Sequence, residues 1–406
     1  MPRYAKILLG MEAIKDRQGD TVMKCANCGG TLVYDVARYG LVCDHCGQVK
    51  PLHRPEEGIL VGGMDFNAAI AAAGSHWGAP KKLLACKSCG AELLCDMEQM
   101  SGMCPFCGSA VVLSAEEANC GIAPNAIIPF KIPKEPIEKR FYRWNKFAFW
   151  SPEKFRRGKV LENLTPVYVP YWTFETDSIT TYTGRFGDTV GSGDSARTNW
   201  TMRSGIVEKH FSSRRVCGSR KFFNDPLLKQ VTGFSNSELI PYEPEMLSGM
   251  SAEVPTIGVE EAWNYVRLVD LKKDIMDACR DHEHADCYSN IQYSTEFYNT
   301  SFKYVLAPVW LSGCKYGGKI YNVAASGTNG RGNCNRPISI AKLIAFIVLF
   351  IACIVAANVL KMGYLFVTLG IAAFVVAIVI YVIMFFVTLS KQQRDEGTDY
   401  SKLKNQ

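Results

Sequence analysis

The sequence predicts a multidomain chain: two small β modules built around cysteines, a central α+β domain, and a C-terminal two-helix hairpin long enough to span a membrane. Three observations predict it. Four Cys-x2-Cys pairs crowd the first 107 residues, a nearly uncharged apolar block fills residues 343–390, and the stretch between them mixes helical and strand patterns.

The cysteine pairs are Cys25/Cys28, Cys43/Cys46, Cys86/Cys89 and Cys104/Cys107. Fourteen residues separate the first pair from the second (43 − 28 − 1), and fourteen separate the third from the fourth (104 − 89 − 1). The second set repeats the first at a constant offset of 61 (86 − 25, 107 − 46). Gly29, Gly47, Gly90 and Gly108 follow the pairs directly. This is the arithmetic of two tandem four-cysteine zinc ribbons, in which two tight turns each present two thiolates to one tetrahedral Zn²⁺. The glycine after each pair supplies the positive φ that such a turn demands. Cys25, Cys28, Cys43 and Cys46 are the ligands of the first site, and Cys86, Cys89, Cys104 and Cys107 those of the second. With four protein ligands, both sites are structural rather than catalytic.

The spacers read as hairpins. Thr31 to Tyr34 is an outgoing strand, Asp35 to Gly40 a turn, and Leu41-Val42 the return. In the second copy Glu92 to Cys95 is the outgoing strand, which makes Cys95 the counterpart of Tyr34 and a strand residue rather than a ligand. His45 lies inside a pair whose cysteines already supply the bite. Disulfides or a thioredoxin-like redox pair are the rival interpretations, but a redox CxxC usually comes singly within a βαβ pattern.

Sixteen cysteines would imply a disulfide framework in a secreted protein. The first 24 residues carry Lys6, Glu12, Lys15, Asp16, Arg17 and Asp20 and contain no signal-peptide core. The expectation is therefore reduced thiols in a cytosolic setting. A net charge of +6, from 45 basic and 39 acidic residues, lacks the strong basic excess of a dedicated nucleic-acid binder.

Leu343 to Leu360 is uncharged, Met362 to Ser390 likewise, and Lys361 alone interrupts them. A helix needs about 20 apolar residues to cross the hydrocarbon core. Asn358, Lys361 and Gly363 mark a turn, so the block divides into two spans. Arg331, Arg336 and Lys342 precede it, and Lys391 and Arg394 follow it. The positive-inside rule puts both ends in the cytoplasm. The boundaries that result are an N-terminal segment 1–23, a first ribbon 24–50, a linker with a short helix 51–84, and a second ribbon 85–112. They continue with a cytosolic α+β domain 113–335, the hairpin 340–390 (spans 343–360 and 363–389) and a cytoplasmic tail 391–406.

In the middle, Phe66, Ile70, Ala73 and Trp77 recur at helical spacing behind Asp65 as N-cap, and Ile137, Phe141, Trp144 and Ala148 mark another amphipathic helix. Ser151-Pro152-Glu153 opens a third. The β-branched and aromatic run Thr165 to Phe174 is a strand that continues to Arg185. Residues 187–198, rich in Gly, Ser and Asp, read as a mobile loop. Val254 to Cys279 reads as helix. Phe302 to Leu311 is a strand, with Lys315 to Lys319 as a hairpin turn and Ile320 to Val323 returning. Pro166-Val167-Tyr168 faintly echoes Pro308-Val309-Trp310. Cys279, His282, His284 and Cys287 fall within nine residues, but their spacing fits no established metal site and reads as a polar loop. No Ser-His-Asp set, phosphate loop, GxGxxG or HExxH stands out.

Taken together, Cys86-Lys87-Ser88-Cys89-Gly90, Cys104-Pro105-Phe106-Cys107-Gly108-Ser109, Ile128-Pro129-Phe130, Thr165 to Trp172, Phe302 to Leu311 and the membrane block resemble a bacterial family. Its members are membrane-anchored proteins with tandem TFIIB-type zinc ribbons, often labelled primosomal N′-like or helicase-like. This chain has no phosphate loop to support that label. The resemblance runs from about residue 24 to 390. It implies a membrane-associated scaffold at the inner membrane, linked with SPFH-domain or phage-shock-type protein partners. The expectation is a non-enzymatic adaptor holding two structural Zn²⁺. The alternative is a membrane-tethered nucleic-acid binder, with Lys24, Lys50, Lys81, Lys82 and Lys87 near the knuckles. A hydrolase or transferase using the Cys279–Cys287 region is a third class.

Overall fold

The computed structural model describes residues 24–53, 61–66, 81–96, 103–109, 122–145, 150–156 and 159–359. The chain is multidomain and largely β, with two small cysteine-rich modules. The first module is a three-stranded antiparallel sheet of β1 (Leu32–Asp35), β2 (Gly40–Cys43) and β3 (Val49–Pro51), in that order. Leu32 faces Cys43 and Asp35 faces Gly40 across the hairpin. Tyr34 and Leu41 fill its small interior.

Short β4 (Met64–Asp65) pairs with a later strand at Ser301 and Phe302. Beyond Phe66, the helix expected to Trp77 lies outside the described residues. The second module begins with β5 (Lys81–Ala85) and β6 (Glu92–Asp96), an antiparallel hairpin from Lys81↔Asp96 to Ala85↔Glu92. This hairpin forms one end of an eleven-stranded sheet, because β6 pairs with β11 (Ser251–Glu253).

The sheet is built on three long strands: β8 (Thr165–Val190, 26 residues), β9 (Arg197–Cys217, 21 residues) and β12 (Cys287–Tyr316, 30 residues). β8 lies between the other two, antiparallel to both. Around them lie β7 (Ala126–Ile127), β10 (Ile240–Pro241), β13 (Lys319–Ser326) and β14 (Gly332–Cys334). Val167 to Phe174 are buried without a break, as a continuous apolar run must be when both faces of a sheet are covered. From Thr176 onward burial alternates, so the far half of the sheet has one covered and one open face. The echoing segments Pro166-Val167-Tyr168 and Pro308-Val309-Trp310 are cross-strand partners, with Val167 opposite Val309.

Residues 187–198 differ from the mobile loop expected of them. β8 runs on to Val190 and β9 begins at Arg197, directly opposite. Gly191 and Gly193, at φ +95 and +61, confine the reversal to residues 191–196. The helix expected from Val254 starts later. Pro255 disfavours helix at the residue before it, and the Val254 N–H donates to the Glu92 carbonyl instead.

The helices are α1 (Lys134–Asn145), α2 (Glu153–Arg156), α3 (Arg220–Asn224), α4 (Pro226–Val231), α5 (Val259–Tyr265) and α6 (Leu271–His282). A π-helical turn over Val266–Asp270 links α5 to α6. Tyr182 donates a hydrogen bond to Glu283 (2.6 Å) and pairs with His282 (2.7 Å), fastening the end of α6 to the sheet.

The last described element is α7 (Ile340–Val359). Its first turns are held on the central domain: the Lys342 ammonium donates to the Ser151 carbonyl at 2.8 Å, and the rings of Trp150 and Phe346 meet at 5.2 Å. Among the described residues, no helix is long and apolar enough to cross a membrane. The second expected span, 363–389, and the tail 391–406 lie outside the described residues.

Candidate metal centres

Each cysteine pair sits on the same local structure, repeated four times. The Gly after the pair returns its N–H to the carbonyl of the first Cys: Gly29 to Cys25, Gly47 to Cys43, Gly90 to Cys86 and Gly108 to Cys104, at 2.8–2.9 Å. A second bond closes each turn from the first Cys N–H to the carbonyl five residues on: Gly30, Gln48, Ala91 and Ser109. The four glycines have φ between +66 and +71. A side chain there would cost about 1–2 kcal/mol in backbone strain.

These knuckles converge the sulfur atoms into two groups, Cys25/Cys28/Cys43/Cys46 and Cys86/Cys89/Cys104/Cys107, each with all Sγ atoms within 4.8 Å of one another. The contacts cross between knuckles: Cys25–Cys46 at 3.6 Å and Cys28–Cys43 at 3.5 Å in the first, Cys86–Cys107 and Cys89–Cys104 both at 3.6 Å in the second. A tetrahedron with metal–sulfur bonds of about 2.3 Å has edges of about 3.8 Å, whereas disulfide sulfurs lie about 2.05 Å apart. The spacing fits a shared metal, and the donor set of four soft thiolates fits Zn²⁺. Both groups could hold a metal ion.

The two centres sit differently. In the first, Cys28 and Cys46 are exposed. In the second, Cys86, Cys104 and Cys107 are buried and Cys89 is half-buried. The first module is tied to the rest by the Tyr34 N–H donating to the Ser248 carbonyl at 3.0 Å and by the Ser248 hydroxyl donating to the Leu32 carbonyl. The second is embedded. Phe106, between its last two ligands, packs edge-on against Phe222 with ring centroids 5.8 Å apart.

Lys221 on α3 completes the second centre from a distance the sequence did not reveal. Its ammonium lies 3.2 Å from the Cys89 sulfur and 4.7 Å from the Phe106 ring centroid. The hydrogen bond shared with Cys104, and after it Lys221, hold the Cys89 thiol down at about 4. That favours the thiolate, the form that binds metal. The Ser109 hydroxyl lies 2.9 Å from Cys107 and 3.5 Å from Cys86. No signal in the sequence links residue 221 to residue 89; a lysine just after a helix-capping serine is too common a pattern.

Behind this centre lies a buried carboxyl, Glu253 on β11. The Ser219 hydroxyl donates to its Oε1 at 2.6 Å, while Oε2 has no partner among the described residues. Burial pushes its pKa up from 4.5 to about 8. The folded-state value lies above the unfolded one, so the folded chain keeps a proton that the unfolded chain releases. The stability linked to Glu253 is full below about pH 4.5 and is lost as pH rises toward 8. Glu253→Gln keeps the shape and the Ser219 bond but cannot ionise. It is expected to leave stability unchanged at pH 4.5 and to raise it at pH 8 by a few kcal/mol, at ~1.4 kcal/mol per pKa unit. Urea midpoints of the two proteins across that range check this.

The remaining candidates separate cleanly. Neither His45 nor Cys95 belongs to a metal-competent group, and Cys95 is buried beside the Ser251 hydroxyl at 3.2 Å. Cys279, His282, His284 and Cys287 are not brought together: Cys279 is buried, His282 pairs with Tyr182, and the Cys287 thiol faces the Gly187 carbonyl. Of the five lysines near the knuckles, Lys81 is engaged by Asp96.

No protein-family model matches the chain. No solved structure matches it either. Among curated proteins it is 27% identical over 346 residues to the uncharacterized protein YdjG of Bacillus subtilis (strain 168), an alignment that covers 80% of this chain and 92% of that protein.

Proposed function

We propose that the protein is a non-enzymatic, zinc-binding adaptor, anchored at a bacterial plasma membrane, that docks protein partners on the cytoplasmic side. The observation that carries this reading is the pair of four-sulfur groups. A tetrahedral ion held by four sulfurs has no position left for water or substrate, so it clamps a fold rather than driving a reaction. Rigid modules of this kind present edge strands and turns to a partner.

The membrane part is supported by the uncharged sequence on either side of Lys361 and by exposed apolar residues on α7, among them Ile344, Val348, Leu349, Ile351 and Val355. In this reading, spans 343–360 and 363–389 form a hairpin with both chain ends in the cytoplasm. The partners are proteins of the SPFH-domain or phage-shock type that the resemblance implies. Engagement of Lys81 by Asp96 and of Lys221 by Cys89 reduces the basic surface open to phosphates and disfavours the nucleic-acid alternative.

The full-length chain is expected to stay with the membrane pellet through alkaline carbonate extraction. Photo-crosslinking from the first module, at the exposed position of His45, is expected to trap a reproducible protein adduct there. Release into the supernatant would remove the anchor, and the absence of any reproducible adduct would remove the docking role.

A further inference from the structure

The far half of the large sheet ends in an edge that the described chain leaves open. β9 pairs with β8 without interruption from Thr176↔Phe211 to Val190↔Arg197, and no described strand pairs with its other side. Sheets usually blunt such an edge with proline, a bulge or a very short strand. Residues 197–211 contain no proline, and the one register shift between β8 and β9 falls beyond them, between Phe174 and Thr176. The strand on the other side of β8, β12, is by contrast irregular: its register against β8 shifts between Ser289 and Gln292 and between Tyr298 and Ser301. One flanking strand of the arm is irregular and the other is left regular over fifteen residues, about 50 Å at ~3.3 Å per residue.

Three large apolar side chains on that edge face solvent among the polar ones. Trp200, Met202 and Ile206 share the open face and are 37%, 66% and 61% exposed. The opposite face is the one α6 covers: Arg203 there donates to the Glu283 carbonyl and pairs with Asp188.

We propose that this edge pairs with the same edge of a second copy of the chain, antiparallel, about a twofold axis at Ser204. Residues directly opposite in an antiparallel pair stand on one face, so self-pairing must join even residues with even and odd with odd. Centring on Ser204 sets Met202 against Ile206 of the second copy and Ile206 against its Met202, gathering four apolar side chains around the axis. It sets Trp200 against Glu208, Asn199 against Lys209, Thr198 against His210 and Arg197 against Phe211, so no like charges oppose. Arg203 falls opposite Gly205, which offers no side chain and could carry none, since a Cβ there would lie 2.7 Å from the Tyr182 hydroxyl. Centring one residue earlier would oppose Arg203 to itself and Arg197 to Lys209. Centring one residue later would oppose Met202 to Glu208 and Ile206 to Ser204. Of these three registers, the one centred on Ser204 is the self-complementary one that an isologous interface requires.

The test uses the full-length chain in detergent. Opposed residues in an antiparallel pair have Cα atoms about 4.5–5.5 Å apart, within the span a disulfide bridges. Ser204→Cys is therefore expected to give a reducible species of twice the chain mass under mild oxidation. Thr198→Cys, whose two copies lie far apart in this register, is expected to give several-fold less. Ile206→Lys, at an exposed position, is expected to abolish the Ser204→Cys product and shift the sedimenting mass to one chain, with metal content unchanged. Equal crosslinking from positions 198 and 204 would overturn the proposal. So would a chain that sediments as a monomer at ~100 µM, or one whose edge is occupied by a different protein.

Discussion

Cys104→Ser is expected to cost the chain one of two bound zinc ions and to unfold far more than its own knuckle. Cys104 is fully buried, and its sulfur shares the second centre with Cys86, Cys89 and Cys107. A serine oxygen is a poor substitute for a thiolate on zinc, and the binding free energy of a structural site, about 10–16 kcal/mol in small zinc domains, is folding free energy. The hairpin that a metal in this centre would clamp is not free-standing. β6 pairs with β11 through Ala252↔Leu94 and Glu253↔Leu93, and β11 pairs in parallel with β8 at Val167 and Tyr168. Loss of the clamp therefore reaches the buried run of β8. Cys28→Ser in the exposed first centre should also remove one ion, but its effect should stay within a module tied on through Tyr34 and Ser248. Metal per chain by atomic emission, with urea midpoints, separates the two. Wild-type protein with no zinc under reducing, metal-replete conditions would defeat the zinc assignment itself.

The difference between the two centres marks how far the sequence could be read. The knuckles were legible because their geometry is local: cysteine spacing and the following glycine determine the turn within six residues. The embedding of the second module was not, because β11 is three residues long and meets β6 across more than 150 positions. Lys221 reaches Cys89 across a sequence separation of 132. The strand at Val167–Phe174 was legible from its unbroken apolar run. Its continuation was read as far as Arg185, but the end of β8 and the start of β9 were not, since Gly187, Gly191, Gly193 and the Ser and Asp residues around them dilute the strand signal and look like loop. Alternation of burial from Thr176 onward becomes meaningful only once α6 covers one face. His282 shows the same limit: its group with Cys279, His284 and Cys287 read as a polar loop, and nothing local pointed to the Tyr182 hydroxyl, 100 positions away, to which it fastens.

Gly313→Ala is the substitution expected to loosen the second centre without touching a ligand. Gly313 lies in β12 opposite Asn322 of β13, directly beneath the Cys104–Gly108 knuckle. A Cβ at 313 would lie 2.4 Å from the Phe106 carbonyl oxygen, 2.5 Å from its carbon and 2.7 Å from the Cys107 nitrogen. All three are backbone atoms, so no rotamer change relieves the clash. The approach is reciprocal, since a Cβ at Gly108 would lie 2.4 Å from the Gly313 oxygen. Nor can the knuckle retreat freely, because Phe106 is backed by Phe222 and Lys221. Overpacking of this kind typically costs about 1–3 kcal/mol, and an all-backbone clash belongs at about 3. The strain falls on the turn that presents Cys104 and Cys107, so zinc should leave the second centre faster while the first keeps its rate. Gly233→Ala serves as the control: nothing lies within 4 Å of a Cβ there, and the change should be neutral or stabilising by about 0.5 kcal/mol. Urea midpoints and zinc release to a chromogenic chelator measure both effects. If Gly313→Ala and Gly233→Ala behave alike, the close contact between the knuckle and β12 does not hold the second centre in place.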